Sequence, residues 1–280
     1  MTKVILAGTG VPTPNPERMG ACVVVVVNDE PILFDCGRGV ITQLVRAGVD
    51  PSKVEHVFLT HHHFDHTIGL PDLLLGSWIV GRNTPVQVFG PAGTSALVRS
   101  ILEAFKIDIE SRRASREGRQ GSVSKLEVIA MEIEAGPVWE SPNWKVCAVR
   151  VDHLPNSFGY RIDTEDRSIV FSGDTRPCAA LVEIARGADL LIHEVFFSPE
   201  FELTGAPYGR HKEFVHPDWI NRVRHTKPHE VGKIAAEAGV KKLVLTHLWS
   251  NEGVERLKKE VAAYFSGEII VGYDLLSITL

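Results

Sequence analysis

The chain has 280 residues, 44% hydrophobic and 23% charged, a composition typical of globular proteins that allows one large domain or two small ones. Its net charge of −5 argues against a non-specific nucleic-acid surface, which usually requires a basic stripe. No apolar run approaches the roughly 20 residues that span a bilayer, no signal peptide precedes the first strand, and the four cysteines are scattered. We therefore expect a cytoplasmic protein with reduced thiols and no membrane contact.

The first half of the chain alternates apolar runs with helix-like segments. Valine-rich and β-branched runs predict strands, and apolar residues at helical spacing predict helices. The predicted strands cover residues 3–7, 22–27, 32–34, 54–59, 85–89 and 123–133, and the predicted helices cover residues 40–47 and 94–104. Residues 107–121 are polar and charged, and we expect them to form an exposed segment.

The second half continues this alternation. Strands are predicted over residues 144–151, 159–163, 168–171, 190–193, 242–245, 268–271 and 275–279, and helices over residues 179–186, 229–238 and 254–265. Residues 159–163 and 168–171 form a tight hairpin. No Pro-, Ser- or Gly-rich linker separates the halves, so we predict a single domain over residues 1–280. Helices with one apolar stripe must cover sheet faces, which predicts an α/β helix–sheet–sheet–helix sandwich.

Residues 8–20 are predicted to form a loop after the first strand. Gly8-Thr9-Gly10 lacks the third glycine of a dinucleotide-binding fingerprint, and Pro12 and Pro14 prevent an immediate helix. Arg18 is the charge of interest in this loop, and we favour a solvated residue over an anion contact.

A cluster of metal-binding side chains follows the strand predicted before residue 60. His61, His63, Asp65 and His66 form an H-x-H-x-D-H motif. Imidazole and carboxylate suit zinc and its neighbours in the first transition row. The alternative is a polar turn that is rich in histidine by chance. Asp35, also at a strand end, is either a buried hydrogen-bond acceptor behind the site or the cap of the next helix.

Three more predicted strands end in metal-binding residues, His153, Asp174 and His247. Each of these residues alone has an ordinary structural explanation, but their joint position at strand ends favours a metal site. Seven such groups are too many for one tetrahedral zinc and suit two metals that share a carboxylate and a water. We therefore predict two zinc ions, with manganese or iron as alternatives.

The same residues resemble the metallo-β-lactamase-fold hydrolases, and within them the ribonuclease Z / arylsulfatase-like branch. The matching segments are Gly8-Thr9-Gly10, Asp35-Cys36-Gly37, Thr60–Leu70, His153, Ser172-Gly173-Asp174-Thr175, Ile192-His193-Glu194, His225-Thr226 and Leu245-Thr246-His247. The resemblance covers nearly the whole chain. It implies a four-layer αββα sandwich with two zinc ions at the strand ends.

The resemblance also implies a role for each site residue. One metal would be bound by His61, His63 and His153, the other by Asp65, His66 and His247, and both by Asp174. Asp65 would in addition orient the attacking water. His225, oriented by Glu194, would protonate the leaving oxygen, because histidine titrates near neutral pH. The alternative for His225 is a surface residue at a helix start.

Two features depart from ribonuclease Z enzymes of this type. Their tRNA-clamping arm lies between the third histidine ligand and the bridging aspartate, where this chain has one hairpin. Aromatic residues also crowd residues 196–219, between Glu194 and His225. We favour an apolar lid over a small-molecule pocket for this segment, ahead of local core or an oligomer contact.

These departures favour a dinuclear zinc hydrolase that acts on a small ester of arylsulfate, phosphodiester or lactone type, with RNA as the less favoured substrate. We also expect a homodimer. The alternative enzyme is a tRNA 3′-processing endoribonuclease without its usual arm. The alternative from another class is a non-catalytic, metal-stabilised binding protein, which the intact Asp65, Glu194 and His225 argue against.

Overall fold

The computed structural model describes residues 2–115, 126–197 and 224–280. The chain divides into two compact units, each built around a seven-stranded sheet. The first unit comprises Met1–Gly8, Met19–Glu134 and Leu275–Leu280, and the second comprises Thr9–Arg18 and Ala135–Asp274. The single domain expected over the whole chain stays a prediction.

The sheet of the first unit is half antiparallel and half parallel. Its strands, numbered in chain order, are β1 (Thr2–Gly8), β2 (Cys22–Val27), β3 (Glu30–Phe34), β4 (His56–Phe58), β5 (Val86–Gly90), β6 (Val128–Glu132) and β14 (Leu276–Thr279). Their spatial order is β14-β1-β2-β3-β4-β5-β6. The pairs up to β2–β3 are antiparallel, whereas β3 to β6 run parallel. Parallel neighbours need crossover connections, which explains the helices that follow β3, β4 and β5.

The helices of the first unit are α1 (Val40–Arg46), α2 (Phe64–Thr67), α3 (Leu70–Ile79), α4 (Thr94–Ala104) and α5 (Lys106–Ala114), with a 3-10 turn at Pro51–Lys53. Leu44 of α1, Leu73 and Leu74 of α3 and Val98 of α4 join the sheet residues in one buried cluster. The continuous Val23–Val25 run of β2 is buried, as expected of a strand covered on both faces.

The sheet of the second unit has the same division into antiparallel and parallel halves. Its strands are β7 (Gly136–Glu140), β8 (Trp144–Arg150), β9 (Phe158–Thr164), β10 (Ser168–Phe171), β11 (Leu190–Glu194), β12 (Lys242–Thr246) and β13 (Glu268–Val271). They lie side by side in the order β13-β12-β11-β10-β9-β8-β7. Strands β7 to β10 pair antiparallel, and β10 to β13 pair parallel.

Among the described residues, three helices accompany the second sheet, α6 (Ala179–Ala185), α7 (Pro228–Ala238) and α8 (Val254–Ala262). Each contributes an apolar face to one buried cluster with the central strands, through Leu181 of α6, Val231 and Ile234 of α7, and Leu257 and Val261 of α8. In the part of the chain that the structure describes, no helix is long and apolar enough to cross a membrane.

The structure confirms most of the predicted elements and corrects two regions. The hairpin of β9 and β10 is present as predicted. Residues 107–121 were expected to form an exposed segment; residues 107–114 are mostly exposed but belong to helix α5, whose one buried residue is Ile109, so the sequence carried no apolar stripe. Residues 116–121 lie outside the described residues. Strand β7 was missed because it is short, begins Gly-Pro and is only half-buried. The cysteines are free thiols, with Cys22 and Cys36 buried.

Strand direction explains why the donor residues of each unit gather at one edge of its sheet. In the first unit, Phe34 of β3 lies opposite Phe58 of β4 in a parallel pair, so Asp35 and Thr60 follow neighbouring strand ends. In the second unit, β8 runs in the same direction as the parallel strands β10, β11 and β12. The residues after them therefore emerge at the same edge, where open α/β sheets bind their ligands.

Candidate metal centre

The first unit brings its four predicted metal ligands together. His61 Nε2 lies 2.9 Å from His63 Nδ1, and His66 Nε2 lies 3.4 Å from Asp65 Oδ2. The ring centroids of His61 and His66 are 4.2 Å apart. His61, Asp65 and His66 are buried, and His63 is half-buried. Three imidazoles and a carboxylate in such close proximity form a donor set that suits zinc and related divalent ions.

Asp35 holds this cluster from behind. Its Oδ2 lies 2.7 Å from His66 Nδ1, and its carboxylate accepts hydrogen bonds from the Thr60 backbone N–H at 2.8 Å and from Thr60 Oγ1 at 2.9 Å. Thr60 Oγ1 in turn lies 2.9 Å from His61 Nδ1. The cap of helix α1 is Gly39, so Asp35 is the buried acceptor and not the helix cap. Metal-ligating histidines are usually anchored through their second nitrogen in this way.

We expect Asp35→Asn to weaken metal binding about 10- to 100-fold, the usual cost of removing such an anchoring carboxylate. Asp35 has a positive φ of 62°, which asparagine tolerates well, so the backbone should be preserved. Calorimetric zinc titration of the metal-free protein measures the change. Asp50→Asn is the matched control, because Asp50 is exposed and caps the 3-10 turn away from the predicted ligands. Unchanged affinity in Asp35→Asn would show that the carboxylate does not support the ligands.

The glycine at the end of the histidine motif is required by close packing of two loops. The Cys36 N–H donates to the His66 carbonyl at 2.8 Å, and the Gly69 N–H donates to the Cys36 carbonyl at 2.9 Å. A Cβ on residue 69 would lie 2.1 Å from the Gly37 carbonyl oxygen, so no larger residue fits without a backbone shift. The two bonds fix the loop that carries the ligands against the loop that carries Asp35.

In the second unit, Asp174 lies at the centre of three histidines. Asp174 Oδ2 is 3.8 Å from His153 Nε2, 3.7 Å from His247 Nε2 and 3.9 Å from His225 Nδ1. These separations are too long for hydrogen bonds. They leave room for bound metal ions, because each ligand atom would lie about 2 Å from a zinc ion. Asp174, His225 and His247 each offer a ligand atom within 4.8 Å of the others.

His153 is oriented by a group that sequence analysis did not identify. Its Nδ1 lies 2.8 Å from the backbone carbonyl of Arg224, and Arg224 Nη1 donates to the His153 carbonyl at 2.7 Å. A backbone carbonyl carries no sequence signal, so this anchor is visible only in the structure. Thr60 belongs to the sequence motif, but its hydrogen bonds with Asp35 and His61 are likewise visible only in the structure.

Glu194 and His225 form the expected pair. Glu194 is buried, and its Oε1 lies 3.0 Å from His225 Nδ1 while accepting backbone N–H bonds from Thr175 at 3.1 Å and Thr226 at 3.2 Å. These bonds fix the carboxylate, and the carboxylate fixes the imidazole ring. Phe196 stacks on His225 with centroids 6.3 Å apart. The half-buried position of His225 and its contact with Glu194 favour the acid–base pair over a surface residue. Phe196 belongs to the aromatic segment, whose residues 198–219 lie outside the described residues.

Several histidines outside the predicted ligand set have structural surroundings. Burial lowers the pKa of His56 to about 4, and burial also lowers the pKa of His193, so both stay neutral near pH 7. His62 Nε2 lies 2.9 Å from Thr94 Oγ1. His211 and His216 lie outside the described residues.

The Beta-lactamase superfamily domain matches residues 31–248. The chain belongs to the metallo-β-lactamase-fold hydrolases. It is 35% identical to a ribonuclease Z of Mycobacterium bovis, over 98% of this chain and 97% of that protein. Among solved structures it is similar to the metallo-beta-lactamase fold protein YhfI of Bacillus subtilis (TM-score 0.73, 22% identity, 99% and 98% of the chains covered). It is also similar to the short form of human tRNase Z (TM-score 0.69, 24% identity, 100% and 99% covered).

These similarities confirm the α/β class of the metallo-β-lactamase fold and the ribonuclease Z branch. They also confirm a metal-dependent hydrolase that acts on ester bonds, which excludes the non-catalytic alternative. Hydrolases of this fold use divalent metal ions, and the His/Asp donor sets of both units fit such ions.

Proposed function

We propose that this chain is a tRNA 3′-processing endoribonuclease. The observation that carries the proposal is the match to ribonuclease Z of Mycobacterium bovis along almost the full length of both proteins. It favours the alternative prediction over the small ester that the sequence departures suggested. The short hairpin between His153 and Asp174 is therefore no argument against the similarity between this chain and that ribonuclease Z. An alignment of 283 residues that spans 98% of this chain leaves no room for a long arm in that relative.

We further propose that the donor sets of the two units bind the same two zinc ions. His61, His63 and His153 would bind one ion, Asp65, His66 and His247 the second, and Asp174 both. The anchored Nδ1 atoms of His61, His66 and His153 support this assignment, because an anchored histidine presents Nε2 to a metal. When bound, two divalent ions lower the pKa of a water molecule and stabilise charge on the attacking and leaving oxygens.

The protein side chains would then move the protons. Water attacks the phosphorus while the bond to the 3′-oxygen breaks, and Asp65, which lies beside His66, accepts the proton of the attacking water. His225, whose Nδ1 faces Glu194, donates the proton that the leaving 3′-oxygen needs. The products are an RNA with a 3′-hydroxyl and a trailer with a 5′-phosphate.

Precursor tRNA with a 3′ trailer tests this function against the small-ester alternative. We expect metal-dependent cleavage at the trailer junction, with a higher kcat/KM than for an aryl sulfate, a lactone or bis(4-nitrophenyl) phosphate. RNA binding should weaken as salt rises, because each phosphate contact releases counterions. Chelated protein is the control. A higher kcat/KM on any of the small esters, with random or no cleavage of precursor tRNA, would contradict the proposal.

A further inference from the structure

Arg18 is buried inside the second unit, which contradicts the expectation of a solvated loop residue. Its side chain is 1% exposed. Nη1 donates to Thr9 Oγ1 at 2.7 Å and to the Gly272 carbonyl at 3.0 Å, and Nη2 donates to Asn251 Oδ1 at 2.6 Å. Burial lowers the pKa of Arg18, an effect that the nearby Asp274 and Glu17 oppose. Burying a guanidinium costs desolvation free energy, which the hydrogen bonds to these acceptors must offset. The position of the acceptors therefore indicates what Arg18 does.

Its acceptors flank the turn that carries His247. Gly272, which accepts from Arg18, donates its own N–H to the Leu245 carbonyl at 2.8 Å, on the strand side of His247. Asn251 lies on the other side of that turn. Arg18 therefore joins the segments before and after this predicted ligand in one hydrogen-bonded unit.

The loop of Arg18 also holds the backbone directly after His247. The Leu248 N–H donates to the Thr9 carbonyl at 2.8 Å, Gly10 forms a parallel β-bridge with Leu248, and Asn15 Nδ2 donates to the Trp249 carbonyl at 2.8 Å. Thr9 is fixed in turn by Asp274, which accepts from its N–H at 3.0 Å and its Oγ1 at 2.7 Å.

His247 needs such support because its φ is +60°, a left-handed conformation that is unfavourable for residues other than glycine. A residue of this kind keeps its conformation only when the surrounding structure determines it. We propose that Arg18 is a positioning residue that clamps the turn around His247 and so holds this imidazole ready for a metal ion. The inference rests on the proposed metal centre.

Zinc titration of the metal-free protein tests the role of Arg18 without reference to activity. Arg18→Met should bind one zinc ion as the wild type does and the other about 10- to 100-fold more weakly, the usual cost of losing a group that orients a ligand. Arg82→Met is the matched control. Arg82 is also 1% exposed and donates to neutral acceptors, Ser77 Oγ and the Leu74 and Thr84 carbonyls, none of them a predicted ligand. We expect Arg82→Met to lower the melting temperature but to keep both zinc affinities.

The outcomes separate the inference from the proposed centre. Wild-type affinity for both ions in Arg18→Met, or an equal loss in Arg82→Met, would overturn the positioning role while the two-metal centre stands. If Arg18→Met does not fold, Asn251→Ala decides, because Asn251 is exposed and its loss removes one acceptor. A smaller loss for the same ion supports the inference, and no loss overturns it. Fewer than two ions on the wild-type protein would overturn both.

Discussion

Replacing Asp174 with alanine is expected to lower kcat/KM on precursor tRNA by about 1000-fold or more. A bound divalent ion contributes several kcal/mol of charge stabilisation in the transition state, and each 1.36 kcal/mol corresponds to a factor of ten. Asp174 Oδ2 lies 3.7–3.9 Å from His153, His225 and His247, so its removal affects both predicted histidine ligands of the second unit and the predicted proton donor. Single-turnover cleavage of a labelled precursor, with protein in excess, measures the loss.

Asp163→Ala is the matched control for this experiment. Asp163 belongs to the same unit and accepts a hydrogen bond from Arg161 Nε at 2.8 Å, in the hairpin rather than at the site. The Asp163→Ala variant should cleave precursor tRNA at the wild-type rate. Full activity in Asp174→Ala, with the fold intact by circular dichroism, would remove Asp174 from the centre.

The second large effect is expected for His225→Ala, which should lower kcat on precursor tRNA about 100- to 10,000-fold, the usual contribution of general acid–base catalysis. A ribose 3′-oxygen is a poor leaving group and needs a proton, whereas 4-nitrophenolate leaves without one. The same variant should therefore lose little activity on bis(4-nitrophenyl) phosphate. Rates on the two substrates, measured with metal-saturated protein, give the comparison.

His229→Ala provides the matched histidine deletion, because His229 lies on α7 and its ring contacts Tyr264 rather than the predicted ligands. It should leave both rates unchanged. Since Glu194 orients His225, Glu194→Gln and His225→Ala should be non-additive when combined. An equal loss on both substrates in His225→Ala would assign His225 to metal binding or to folding instead of proton donation.

The sequence correctly predicted the strands and helices whose buried faces require a regular pattern of apolar residues. The valine run of β2, the hairpin of β9 and β10 and the helix before Gly239 all lie where periodicity and turn residues place them. Helix α5 escaped prediction because one buried isoleucine gives no periodic signal. The sequence also predicted that the metal ligands follow strand ends. The parallel direction of neighbouring strands in each sheet explains why those ends meet at one edge.

What the sequence left open depends on contacts between distant segments. Asp35 had two interpretations until the parallel pairing of β3 and β4 brought it to Thr60, and its bond to His66 then decided between them. Arg18 was misassigned because two of its three acceptors, Gly272 and Asn251, lie more than 200 positions away in the chain. The sequence favoured a small ester because the missing arm was compared with one type of ribonuclease Z, whereas the match to a ribonuclease Z of equal length favours the alternative, a tRNA-processing enzyme.

The metal content of the purified, zinc-loaded protein tests the central claim most directly. The claim is that the donor sets of the two units form one two-metal centre with Asp174 as a shared ligand. Atomic emission after removal of excess zinc should give two ions per wild-type chain and at most one per Asp174→Ala chain. One ion per wild-type chain at saturation, or two ions retained by the folded Asp174→Ala variant, would contradict the account.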